Sequence, residues 1–151
     1  MNFLCYIKTK ALLGVVLWSV LLSTGCDARE LVTVEVGGIP VSVEVASDPD
    51  ARRIGLMSRR HLDADKGMLF VFPRQEIKAI WMRDTLIPLD VGFFDMKGML
   101  VNYLSMEPRT ETLHFSVAPA IYALEMNQGW YEANGIEPGM RLELPYAIQG
   151  R

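Results

Sequence analysis

The densest collection of chemically useful side chains in this sequence lies within ten residues, 81–90, which read WMRDTLIPLD. Trp81, Arg83, Asp84, Thr85 and Asp90 supply an aromatic face, a permanent cation, two carboxyls and a hydroxyl. They fall between the end of one strand-like run and the start of another. A turn there would hold them on a rigid sheet as a polar patch able to bind a small ligand. The same residues also have a plain structural use, with Trp81 and Met82 in packing, Arg83 and Asp84 as solvated turn charges and Asp90 as a turn cap.

Glu125 and Asn127 form a second group. They stand two apart in a strand-like run, so both side chains leave the same face. An acid between Leu124 and Met126 is expected to be partly buried, and a buried carboxylate needs a partner. Arg83 or Arg59 would serve structurally. Alternatively, Glu125 with Asp90 would hold a metal or work as acid and base, which is the one enzymatic arrangement these residues suggest. Asn127 reads most simply as a helix cap.

Elsewhere the chemistry thins out. His61 and His114 read as exposed loop positions, and no Cys or His spacing matches a zinc site. No serine sits in a nucleophile elbow. Most of the methionines fall on apolar strand faces, where they are core filler rather than soft metal ligands. No cofactor and no metal are expected.

The N-terminus carries a different signal. Residues 11–22, ALLGVVLWSVLL, are an almost unbroken apolar run preceded by Lys8 and Lys10, with no acid before Asp27. About a dozen apolar residues suit an export signal, whereas a spanning helix needs roughly 20. Ser23-Thr24-Gly25-Cys26 follows, small residues before a cysteine, similar to the lipobox of bacterial lipoproteins. Processing there would leave Cys26 as a lipidated N-terminus on the periplasmic face of a bacterial membrane; ordinary cleavage near Gly25 or Ala28 would release a soluble exported protein. The only cysteines are Cys5 and Cys26, so a mature domain has no disulfide to hold it.

Removing residues 1–25 takes away two lysines and no acid, so the formal charge of −3 becomes −5. A mildly acidic chain without a basic stripe argues against nucleic acid as a partner.

The elements that must position the candidate groups are mainly strands. Val32, Val34 and Val36 share one face of a first strand, and Val41, Val43 and Val45 repeat the pattern after Gly37-Gly38, which reads as a hairpin. Ser47-Asp48-Pro49-Asp50 offers a cap and a first-turn proline for a helix over about 49–58. Strand-like runs then occupy 68–72, 79–82, 91–95 and 99–104, the last two joined by a turn at 96–98. Residues 107–119 read as a long surface loop, 121–126 as a strand, 128–134 as a helix closed by Gly135, and 140–146 as a last strand. The organisation expected is a signal over 1–25, a short tether over 26–30, one domain over 31–146 and a tail over 147–151. Many short strands with two short helices indicate a mainly β domain, two sheets packed face to face.

Four stretches taken together resemble one bacterial and archaeal family: Gly55-Leu56-Met57 with Arg59 and Leu62; residues 67–73, GMLFVFP; residues 81–90; and residues 124–130, LEMNQGW, followed by Asn134 and Ile136. This is domain-of-unknown-function family 192, and the resemblance covers about residues 41–145. It implies a compact β-sandwich resembling the jelly rolls, often carried behind a signal peptide, with no settled activity. This chain departs from the family pattern at Arg83-Asp84, where Lys-Asn is usual, at Ser58, where an aromatic is usual, and at Gly139-Met140, where Gly-Asp is usual.

The functional expectation is a non-catalytic binding or accessory module, lipid-anchored in the cell envelope, that recognises a small ligand or an envelope protein through Trp81, Arg83, Asp84, Thr85, Asp90, Glu125 and Asn127. Its rival is an enzyme or metal protein built on Asp90 and Glu125. The two differ in whether those groups converge on one pocket.

Overall fold

The computed structural model describes residues 31–151; the expected export signal, Cys26 and the expected tether lie outside the described residues. The mainly β expectation holds. β1 (Leu31–Val36) and β2 (Ile39–Ala46) form the expected hairpin, Val36 pairing with Ile39 across Gly37 and Gly38, both at positive φ. Glycine adopts that backbone without the Cβ clash that penalises other residues, which lets a two-residue turn follow the strand twist.

α1 (Pro49–Ile54) begins as the sequence indicates, Ala51 N donating to Asp48 Oδ1 at 2.9 Å. It stops at Gly55, shorter than the 49–58 expected, because Gly55 turns to φ 51° and carries the chain over Phe70.

The remaining strands are β3 (Lys66–Glu76), β4 (Ala79–Ile80), β5 (Leu89–Phe94), β6 (Leu100–Met106), β7 (His114–Phe115), β8 (Ala120–Asn127) and β9 (Leu142–Glu143). Seven of them make one sheet in the order β6-β5-β8-β3-β2-β1-β9, and β4 pairs with β7 in a separate ribbon. The stretch expected as an irregular loop, 107–119, therefore contains a strand, and His114 sits on it. β2 and β3 are parallel, joined across α1 and the residues after it; the other pairs are antiparallel.

The large sheet curls until its edges meet. Leu100 N donates to Met140 O and Leu142 N to Gly98 O, both at 2.8 Å, linking the start of β6 to the residues around β9. Closure of this kind leaves fewer unpaired edges than an open sheet. Inside the curl lie Val34, Val36, Val43, Leu69, Leu124 and Met126, with Tyr131 and Ile136 from the α2 (Trp130–Ala133) region. On the outer face of β3, β5 and β8 a second core joins Met68, Phe70, Val91, Phe93 and Ala123 to Leu56, Leu62, Met82 and Leu89. With both faces covered, every residue of β5 and residues 67–71 of β3 are buried, rather than alternate ones.

The end of the chain is docked rather than trailing. Arg52 donates to Ser47 O at 2.7 Å, Val71 O at 2.9 Å and Arg151 O at 2.6 Å, and Arg151 N donates to Ser47 O.

Candidate functional site

Strand pairing decides which candidate groups can meet. On β5 and β8, Asp90 lies opposite Met126 and Val91 opposite Glu125. Successive side chains of a strand alternate in direction, so Asp90 points with Met126 into the curl and Glu125 points with Val91, Met68 and Asn127 to the outer face. The acid–base or metal pair made of these two carboxyls does not assemble. Among the described residues no group of three His, Cys, Asp or Glu side chains is placed to hold a metal ion.

Asp90 has a structural occupation. Its carboxylate accepts from Ser105 Oγ at 2.7 Å and from Gly129 N at 2.8 Å. Gly129 is the residue before α2 and no side chain of its own segment caps that helix. Asp90 thus does, from a neighbouring strand, what Asn127 was expected to do locally. Asn127 ends β8 and its amide donates to Leu62 O at 3.1 Å and Asp63 O at 3.0 Å, tying down the chain that covers the outer core.

Glu125 is 4% exposed and sits at the bottom of a cavity of about 320 Å³. Its neighbours there are mostly apolar: Phe70 and Phe72 from β3, Ile54, Leu56 and Met57 from α1 and the turn after it, and Ala79, Ile80 and Trp81 along β4 and just beyond. Thr85, also buried, is the other uncharged polar side chain in the lining. Neither expected arginine reaches Glu125. Arg59 forms an ion pair with Glu44, and Arg83 lies beside Asp84 and over the Trp81 ring, 5.5 Å from its centroid. Among the described residues the Glu125 carboxyl has no hydrogen-bond or ionic partner, and burial alone pushes its pKa up to about 8. Burial favours its protonated form, which is a donor as well as an acceptor.

Arg52 and Arg53 border the same cavity without offering a free charge to its floor. Arg52 is spent on three carbonyls and lies over Phe72, and Arg53 faces solvent beside Asp50.

Arg83 and Asp84 belong to a different place, a shallow surface cleft shared with Ser58, Arg109 and Glu111. Ser58, Asp84 and Arg109 all have positive φ, and Ser58 N donates to Asp84 O and Arg109 N to Thr85 O, so three loops are stitched together there. The left-handed backbone suits Asp or Asn better than most residues, so Asp84 fits this turn.

Of the seven ligand-binding candidates, Trp81, Thr85 and Glu125 meet around one cavity. Arg83 and Asp84 lie outside it, Asp90 is on the opposite face, and Asn127 is an anchor. Trp130 is buried against Tyr131 in the inner core. The aromatic walls Phe70 and Phe72 were visible in the sequence only as strand core.

The structure defines a mainly β domain whose large sheet curls and closes on itself, with a buried acid, Glu125, lining a cavity on its outer face. The chain belongs to the DUF192 family, described as an uncharacterised ACR, whose model matches residues 32–144. A solved protein from Sinorhizobium meliloti 1021, presented as a candidate transcription regulator, is similar at 34% identity and a TM-score of 0.74, covering 77% of this chain and 95% of that one. A protein of unknown function from Novosphingobium aromaticivorans DSM 12444 is similar at 29% identity and a TM-score of 0.74, covering 79% of this chain and 89% of that one. Among curated proteins no match to the chain is found.

Proposed function

We propose that this protein is an exported, lipid-anchored binding module of the cell envelope that takes a small molecule into the Glu125 cavity. The observation that carries the binding part is Glu125 itself. Burying a carboxyl among Phe70, Leu56 and Val91 without a partner costs the fold free energy, and a ligand that supplies the missing partner recovers it. The cavity volume, its apolar walls and its few polar groups, Glu125 and Thr85 with Arg52 and Arg53, match the usual make-up of small-molecule sites. Export and anchoring rest on the apolar run over residues 11–22 and on Cys26.

The description attached to the Sinorhizobium protein points to gene regulation instead. The helices here span six and four residues, too short for the recognition helix on which most groove-reading domains depend, and the acidic balance disfavours DNA.

Native mass spectrometry of the full-length protein, extracted from producing cells in mild detergent, tests the binding reading. A discrete small-molecule adduct is expected on the wild type, and it should be lost in Ala79→Trp, which fills the mouth from β4. An adduct retained unchanged in Ala79→Trp, or none in either protein, would refute the reading.

A further inference from the structure

We infer that the Glu125 cavity selects an uncharged, largely apolar molecule bearing an acceptor oxygen, a carbonyl or an ether, which receives a hydrogen bond from the Glu125 carboxyl. The inference rests on the reading of the cavity as a binding site and adds the chemistry of its occupant.

The geometry excludes charged occupants in turn. An anion at the floor would need a cation there. The Arg52 guanidinium is already shared among the carbonyl oxygens of Ser47, Val71 and Arg151, and Arg53 turns to Asp50 in solvent. Lys78 is outside the cavity lining, over the Phe72 ring at 4.5 Å from its centroid, and pairs with Glu76. An anionic ligand would therefore enter desolvated and unpaired.

A cation would require Glu125 to ionise in a site that holds it neutral, and it would pass Arg52 and Arg53 at the mouth. The other charged pair on this face of the sheet, Arg59 with Glu44, is mutually neutralised. Asp90 and Tyr131 face the opposite side of the sheet, in the inner core. What remains complementary is a neutral acceptor, since a protonated carboxyl at 4% exposure has a proton to give and no partner among the described residues to take it. Thr85 adds a hydroxyl to the same lining, and the apolar side chains around the cavity accommodate a hydrocarbon body.

The test uses the full-length protein in detergent and four ten-carbon probes: octyl methyl ketone, decane, decylamine and decanoate. Calorimetric titration should give the tightest Kd for the ketone. Above about pH 8, where Glu125 loses its proton, that Kd should rise roughly tenfold per pH unit. Glu125→Gln, whose amide still donates, should bind the ketone and lose this pH dependence. Glu125→Leu should bind ketone and decane alike, with the ketone weakened about tenfold or more. Equal binding of ketone and decane by the wild type would overturn the acceptor inference while leaving the cavity a binding site. Preferred binding of decylamine or decanoate would overturn it in favour of a charged ligand. Failure of all four, with an adduct still seen by native mass spectrometry, would overturn this ligand class alone; failure of both measurements would remove the site.

Discussion

Asp90 and Glu125 stand on hydrogen-bonded neighbouring strands, one residue out of register, and face opposite sides of the sheet. One carboxyl is saturated by Ser105 and Gly129; the other is buried without a partner among the described residues. The same side-chain chemistry thus carries a structural role on the inner face and a candidate binding role on the outer face.

Glu125 should make the fold weaker at alkaline pH. Its folded pKa is raised from 4.5 to about 8, so its contribution is most favourable below the unfolded value and is lost as pH rises from about 4.5 to about 8, at roughly 1.4 kcal/mol per unit. Glu125→Gln should abolish that decline and be more stable than the parent at high pH by a few kcal/mol. Urea titrations of both proteins at acid and alkaline pH measure it. A carboxylate held by arginine would have given the reverse result, with Glu125→Gln destabilising.

Asp90→Ala should cost about 2–3 kcal/mol, because a charge-assisted bond to Gly129 N disappears and the Ser105 hydroxyl loses its acceptor. Ligand uptake at Glu125 should survive wherever the protein remains folded. Parallel denaturant and adduct measurements separate the two effects, and loss of binding in a folded Asp90→Ala protein would contradict the two-face assignment.

Gly92→Ala should be destabilising by roughly 1–3 kcal/mol. A Cβ there would lie 2.4 Å from Tyr131 Oη. That hydroxyl donates to Leu124 O at 2.9 Å, and its ring stacks on Tyr103 with centroids 5.0 Å apart. Thermal unfolding detects the change, and Gly92→Ala combined with Tyr131→Phe should recover part of the loss by removing the nearest atom.

Cys26→Ala should release the protein from membranes into the soluble envelope fraction if Cys26 carries lipid. Fractionation and mass spectrometry of the N-terminus read this directly. An unmodified N-terminus at Ala28 or beyond would refute lipid attachment.

Much of the architecture was legible because it is local. Alternating valines mark β1 and β2 as half-exposed strands, Gly37-Gly38 marks their turn, Asp48-Pro49 marks the start of α1, and Gly135 marks the end of α2. The apolar run at 68–72 and the strand-like run at 91–95 mark parts of β3 and β5. β7 was missed because two residues, His114 and Phe115, form a strand only through their pairing with Ile80 and Ala79, which carries no local periodicity.

The site divides in the same way. Residue order alone established that Glu125 and Asn127 share a face and that Glu125, flanked by Leu124 and Met126, would be buried. It could not establish that Asp90 faces away, since that depends on which residue of β5 is paired with which of β8. It also could not establish that Arg59 is taken by Glu44, that Arg52 is spent on the chain end, or that Phe70 and Leu56 enclose the carboxyl. Alternation along one strand is a property of the backbone and can be read from spacing. The relative phase of two strands, and hence the company a buried acid keeps, is set by long-range register and by the competition of all charged groups for the same few partners, and these are settled only when the sheet curls and its edges close.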